Sequence, residues 1–328
     1  MQFRTTFQIP ESKFKINHQQ NILTIGSCFS DEMGNRLVDL KFKGLINPFG
    51  VIFNSYSIYK LILRSLNKIY FTIEDVHQNG EQFFCFDVHS SFNSLTKEII
   101  LNHLNETIDL VHNQLLSCDV LILTLGTSWV YQNKHTNQIV ANCHKIAAKQ
   151  FDKMLLSTEE NFKSLDLITS ELIKLRPQIK IITTVSPVRH IKDGMIENNV
   201  SKARLLDALY QLTNRYDEVD YFPSYELIMD DLRDYRFFKS DLIHPSEQAV
   251  EYIWEKFVES YFNQTTETIN QKIKKIISAL NHRPFNEDSL SHQKFLKKTY
   301  SLIEELEKGH ALNFKEEKLF LQSKIKSC

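Results

Sequence analysis

The run Asn21-Ile-Leu-Thr-Ile-Gly26-Ser-Cys-Phe-Ser-Asp31 decides the fold. Its aliphatic, β-branched first half reads as a strand over 21–25. Gly26 then lets the chain turn sharply with no Cβ penalty. An amphipathic helix follows over 30–40, with Met33, Leu37, Val38 and Leu40 at its apolar positions. The turn sets Ser27 at a helix N-terminus beside free backbone N–H groups, where a nucleophile attacking an acyl carbon needs to sit. A plain helix cap at Ser27 or Ser30 explains the same residues.

The strand-to-helix step repeats along the chain. A strand or strand-turn over 44–52 precedes a helix near 57–66, and a polar, irregular region spans 67–94. A helix over 97–116 leads into Val120-Leu-Ile-Leu-Thr-Leu125, one near 159–175 into Lys180-Ile-Ile-Thr-Thr-Val185, and one near 202–215 into Val219-Asp-Tyr-Phe222. Five strands with intervening helices predict a doubly wound parallel sheet with helices on both faces. Ligands bind such sheets beyond the carboxyl ends of the strands. The residues falling there are Gly26-Ser27, Gly50 to Asn54, Gly126-Thr-Ser-Trp129, Ser186-Pro-Val-Arg-His190 and Pro223-Ser-Tyr-Glu226.

A second informative stretch is Lys239-Ser-Asp241-Leu-Ile-His244-Pro245-Ser246, ahead of a helical pattern over 247–257. Pro245 forces an extended or turn conformation on His244 and suits the start of the helix. Asp241 and His244 therefore share one turn, close enough for the carboxylate to fix the imidazole tautomer and stabilise the imidazolium of a general base. A solvated loop with Ser246 as the helix cap is the alternative. The mixed charges of Asp230-Asp231-Leu-Arg-Asp234-Tyr-Arg236 read as a salt-bridged loop bracing the Asp241 turn.

Together these segments resemble the SGNH (GDSL-like) hydrolase superfamily, and within it the GSCFA-domain family. The resemblance is carried by Gly26-Ser27-Cys28-Phe29, Asn47-Pro48-Phe49-Gly50, Asn142-Cys143-His144-Lys145, Ser186-Pro187-Val188-Arg189-His190, Ser201-Lys202-Ala203 and Asp231-Leu-Arg-Asp-Tyr-Arg-Phe237, over roughly residues 3–260. Ser30 stands where the family motif has Ala. The resemblance implies a three-layer α/β/α, flavodoxin-like fold with a central parallel five-stranded sheet. It also implies a serine esterase or acyltransferase, with Ser27 as nucleophile, His244 as general base and acid, and Asp241 orienting His244. Small O-acylated molecules or carbohydrates are the substrate class it points to. A catalytically silent carbohydrate- or partner-binding protein on the same fold is the competing reading.

SGNH enzymes typically build the oxyanion hole from the nucleophile's N–H, a glycine N–H and the Asn of Gly-x-Asn-Asp. Here the place after the central strand reads Gly126-Thr127-Ser128-Trp129, without that Asn. The candidate donors are Ser27 N–H, Gly50 with Gly44 behind it, the Ser128 hydroxyl and Asn142. Ser128 as an elbow nucleophile conflicts with Val130 at the position needing a small residue. Cys28 would be activated at a helix N-terminus, though a small buried hydrophobe is the default reading. Arg189 and His190 suit a carboxylate, phosphate or sugar hydroxyl, unless Arg189 pairs with Asp193 or Glu197. His144, with Lys145 beside it, and Asn54 are further substrate-binding candidates, while His89 either shapes a substrate loop or, by default, is an exposed loop histidine.

Bulk properties set the class. A chain of 328 residues buries roughly 75% of its surface on folding. Acidic and basic residues nearly cancel at 40 and 39, so no general field points to nucleic acid or to a membrane. No apolar run approaches the roughly 18 residues a span requires. Met1 to Pro10 shows no signal core. The five cysteines (Cys28, Cys85, Cys118, Cys143, Cys328) form no CxxC pair and read as reduced thiols, which with the absent leader predicts a cytoplasmic protein. No metal-ligand spacing and no dinucleotide or Walker glycine pattern occurs, and acyl transfer by a triad implies no cofactor. Composition divides the chain into an α/β domain, 1–261, and a C-terminal helical extension, 262–328. The extension reads as helices over 266–281 and 289–308 with a polar end. Ile269, Ile273, Ile276 and Leu280 form an apolar face that docks either on the body or on a second subunit, giving a homodimer.

Overall fold

A computed structural model describes residues 5–6, 8–287, 289–310 and 312–325. Cys328 and residues 1–4 and 7 of the N-terminal stretch lie outside the described residues. β1 (Asn21–Gly26) enters α1 (Cys28–Asp39), followed by β2 (Lys43–Ile46) and α2 (Ser55–Leu66). A hairpin of β3 (His77–Asn79) and β4 (Gln82–Phe84) precedes α3 (Lys97–Ser117) and β5 (Val120–Leu125). Next come β6 (Trp129–Asn133), β7 (Ile139–Val140) and β8 (Phe151–Leu155), which form a small antiparallel sheet. The body closes with α4 (Thr158–Leu175), β9 (Lys180–Val185), α5 (Met195–Arg215) and β10 (Val219–Tyr221). After it come the short α6 (Ser224–Glu226), a π-helical stretch (Leu227–Leu232), α7 (Glu247–Tyr261), α8 (Gln264–Asn281), α9 (Leu290–Gly309) and α10 (Lys315–Lys324).

The central sheet has the order β10-β9-β5-β1-β2 with every pair parallel. This is the flavodoxin-like doubly wound order, and its switch point lies where β1 adjoins β5. Alternation along the strands feeds two cores. Leu23, Leu121 and Ile181 face α2 to α5 through Leu61, Ile108, Ile168 and Leu209. Ile22, Ile122 and Ile182 face the other layer, with Phe29, Leu37, Ile253 and Phe257. Side chains this deeply buried each contribute about 1.5–3 kcal/mol.

Several boundaries differ from the sequence expectation for local reasons. The strand expected over 44–52 stops at Ile46, because Asn47 at φ 39° and Gly50 at φ 71° turn the backbone. The helix expected from 202 begins at Met195. The polar end forms a further helix, α10, and Phe314 and Leu321 there are fully buried. The apolar face of α8 docks on the body, since Ile269, Ile273 and Ile276 share a core with Leu40, Trp254 and Phe262. Lys41 also pairs with Glu317 of α10. A groove of about 840 Å³ opens between α8 and α9, lined by Lys274, Lys275, Phe295, Lys298 and Leu302 among others. Among the described residues, no helix is long and apolar enough to cross a membrane.

Candidate active site

Residues 47–54 cross the switch point. Ile52 N–H donates to Gly26 O at 2.9 Å, while Gly126 and Thr127 N–H donate to Phe53 O at 2.7 and 3.3 Å. One loop thereby ties the carboxyl ends of β1 and β5 together. Asn47 is the pivot. Its Oδ1 accepts from Gly26 N–H at 2.8 Å, and its Nδ2 donates to Asp31 Oδ1 at 2.6 Å and to Ser27 O at 3.5 Å. Gly26 itself has no room for a side chain, because a Cβ there would lie 2.3 Å from Thr124 O.

Ser27 is the N-cap of α1 and is 3% exposed. Its Oγ accepts from Phe29 N–H at 3.3 Å, and among the described residues no hydrogen bond joins it to His244. Burial and the adjacent Asp31 carboxylate raise the Cys28 thiol, which argues against a thiolate nucleophile. Burial likewise raises Asp31, against the Asn47 amide and the His89 imidazole, which lower it.

Asp241 and His244 form the expected unit. His244 Nδ1 lies 2.7 Å from Asp241 Oδ2. Asp241 Oδ1 accepts from the N–H groups of Ile243 and His244 at 2.9 and 3.0 Å. Those backbone donors, with the His244 ring, hold the Asp241 carboxyl down at about 2. The turn is seated by a bridge between Phe238 and Pro245 and by Lys239 N–H on His244 O at 2.7 Å. Leu242 takes a positive φ of 59° to close it. The acidic stretch before the turn is π-helical in its first part, and Arg236 pairs with Asp234 at 3.6 Å.

Between this turn and the strand ends stands His190. Its ring lies beside Phe53, centroids 5.4 Å apart, and its Nε2 would be 3.2 Å from a Cβ on Gly126. Burial, helped by the Lys202 and His244 charges, lowers its pKa to about 4, so the ring is neutral near pH 7. Lys202 lies deeper, with Nζ donating to Gly126 O at 2.6 Å and Ser186 O at 2.7 Å. That ammonium clasps the ends of β5 and β9, and burial lowers its pKa to about 7. Arg189 pairs with neither Asp193 nor Glu197. Asp193 is taken by Lys153 at 2.7 Å. The Arg189 guanidinium rests over Phe238 at 5.0 Å and reaches Met229 Sδ at 3.4 Å, with no carboxylate partner among the described residues.

The other expected site residues have structural employment. Ser128 is fully buried in a polar network, with its N–H on Ser201 Oγ at 2.7 Å, its Oγ on Ser201 O at 3.0 Å, and Asn161 Nδ2 at 3.2 Å. It is therefore neither an exposed nucleophile nor a free donor. Ser27 N–H donates to Thr124 O at 3.0 Å and Gly50 N–H to Asn47 O at 2.7 Å, so both expected oxyanion amides are engaged. Asn142 Oδ1 accepts from His144 N–H at 2.8 Å. His144 is 6% exposed, stacks on Phe84, and bonds Val88 O through Nε2 at 3.2 Å, so it braces the loop. Asn54 caps α2 by accepting from Ser57 N–H at 2.8 Å. The sequence reading passed over Asn47, Asp31 and Lys202 as functional candidates. The only signal for them was membership of the family-like segments and the helix start.

A family model described as "GSCFA family" matches residues 21–257, and one described as "GSCFA domain protein, C-terminal domain" matches residues 273–327. No curated protein matches the chain in sequence. Among solved structures, similarity extends to a Streptococcus pneumonia protein described as a candidate platelet activating factor. It is 12% identical, with a TM-score of 0.38, over 73% of this chain and 84% of that one. A carbohydrate esterase family 3 protein from Talaromyces cellulolyticus is 10% identical, with a TM-score of 0.31, over 78% of this chain and 99% of that one.

Proposed function

The chain belongs to the GSCFA family, and from its site geometry we propose that it is a serine esterase or acyltransferase acting on small O-acylated molecules or carbohydrates. Ser27 is the nucleophile, His244 the general base and then acid, and Asp241 the orienting carboxylate. The observation that carries this reading is the His244 Nδ1 to Asp241 Oδ2 contact of 2.7 Å, on a carboxylate fixed by two backbone N–H groups. That contact leaves Nε2 as the base.

Ser27 Oγ rotates from its capping position and adds to the acyl carbon, while its proton passes to His244 Nε2. The tetrahedral intermediate collapses as His244 returns that proton to the leaving oxygen. An alcohol departs and the acyl group stays on Ser27. Water or an acceptor hydroxyl then reverses the sequence, with His244 again as base. Arg189, with no carboxylate partner among the described residues, and the neutral His190 recognise a polar or anionic part of the substrate. The α/β body through residue 261 carries the chemistry, and the helical extension completes its second core. The four described cysteines are free thiols, in keeping with a cytoplasmic setting.

A binding protein without turnover is favoured by one observation, the engagement of Ser27 Oγ as a cap. Labelling with a fluorophosphonate, read by intact mass and peptide mapping, separates the two. The esterase reading expects one adduct on Ser27, absent in Ser27→Ala and reduced at least roughly a thousandfold in rate in His244→Ala. A folded wild-type protein that takes no label is a binding protein.

A further inference from the structure

Acyl transfer needs hydrogen-bond donors where the oxyanion develops, and three of the four expected here are engaged within the fold. Ser27 N–H goes to Thr124 O, Gly50 N–H to Asn47 O, and Ser128 Oγ to Ser201 O. His89 offers another. It caps the short helical turn Ser90–Phe92, and its Nδ1 accepts from Ser91 N–H at 3.2 Å. A backbone N–H can only donate, so Nδ1 holds a lone pair and the neutral ring carries its proton on Nε2. Among the described residues nothing accepts from that Nε2–H.

The residue is also packed against the loop that carries Gly50. His89 N–H donates to Phe49 O at 3.1 Å. Next to Phe49, Gly50 lies so close that a Cβ there would come within 2.4 Å of His89 Cβ. This is the loop that Asn47 ties to Gly26, Ser27 O and Asp31. A positive charge on this ring would lower Asp31, one turn along α1 from Ser27, so the two side chains lie near one another.

We propose that His89, held as the Nε2–H tautomer by the Ser91 backbone, donates a hydrogen bond to the oxyanion formed when Ser27 adds to an acyl carbon. The inference rests on Ser27 being the nucleophile. As the Ser27 Oγ–carbon bond forms, the carbonyl π pair moves onto oxygen and His89 bonds that oxygen without giving up its proton. A neutral imidazole thus fills the role of the Asn that is absent after Thr127.

The test compares second-order rates of fluorophosphonate labelling at Ser27, since as Oγ adds to phosphorus and fluoride leaves, charge builds on the phosphoryl oxygen that takes the carbonyl oxygen's place. His89→Phe keeps a ring but no donor, and His89→Gln keeps an N–H donor. We expect His89→Phe to label on the order of a hundredfold or more slowly. His89→Gln should stay within about tenfold of wild type, and both should melt near the wild-type temperature. Wild-type labelling by His89→Phe, with Ser27→Ala unlabelled, leaves the nucleophile standing and overturns the donor. Equal loss in the Phe and Gln variants marks His89 as a base or a structural prop, and also overturns it. Loss in Asn142→Ala with none in His89→Phe moves the donor to Asn142. A folded wild type that takes no label overturns both readings.

Discussion

Ser27 Oγ, as it stands, does what any serine at a helix start does. Its surroundings set it apart: the Asn47 amide behind it and, on the next strand end, Gly126, whose carbonyl is held by a buried lysine. The Asp241–His244 contact and the place of Ser27 at a helix start are legible in the sequence because each signal is local. A glycine precedes the serine, and three residues and a proline fix the carboxylate against the imidazole. The contacts of Lys202 and His89 are not legible, since one sits on a helical pattern and the other in a polar loop. Their partners, Gly126, Ser186 and Gly50, are 76, 16 and 39 residues away. Lys202 makes a prediction of its own. Its ordinary value of 10.5 falls to about 7 in the fold, chiefly through burial. Between those values the unfolded chain holds a proton that the folded chain has shed, so stability rises with pH across that window, by up to about 1.4 kcal/mol per pH unit. Urea midpoints at pH 7, 8.5 and 10 should climb for the wild type relative to Lys202→Met, and parallel curves for the two proteins would contradict the assignment.

Among the elements, the β1–turn–α1 unit was read nearly to the residue, because a β-branched run, a glycine and an amphipathic helix all agree. The small antiparallel sheet carries no such signal. β7 has two residues, and β6 carries Trp129, Val130 and Tyr131 in succession, so no alternation marks it as a strand. Its pairing with β8 depends on contacts about twenty residues away. The loop over β1 and β5 depends on backbone freedom at one position. Gly50 adopts φ 71° with no space for a Cβ, so Gly50→Ala should cost at least roughly 1–2 kcal/mol. It should also slow labelling at Ser27 by pushing on His89. Chemical denaturation and labelling rates measure the two effects, and a variant unchanged in both would show that the loop is looser than its hydrogen bonds imply.

On the scale of the whole molecule, one face of the sheet is covered by α2 to α5 and the other by α1, α7 and the helices after it. Sequence patterning showed that α8 must bury an apolar stripe but left open what it would bury it against. Pairing at a distance decided that, through Trp254 and Phe262. Ile273 is fully buried in this second core, so Ile273→Ala should destabilise the protein by roughly 2–5 kcal/mol. The exposed Leu290→Ala should stay within about 0.5 kcal/mol of wild type. The Ile273 penalty should not vary with protein concentration. A penalty that does vary would mean that the stripe is buried between two copies.

The same arrangement sets an order of events on the ribosome. The face of the sheet under α1 is made early, yet the residues that cover it, Trp254, Ile273, Ile303 and Leu321, follow β9 by 69 residues or more. At about 5–20 residues per second, that apolar layer stays bare for on the order of ten seconds after β9 emerges. Nascent chains stalled before α7 should therefore be the ones that recruit chaperones, and chains released after α10 should not.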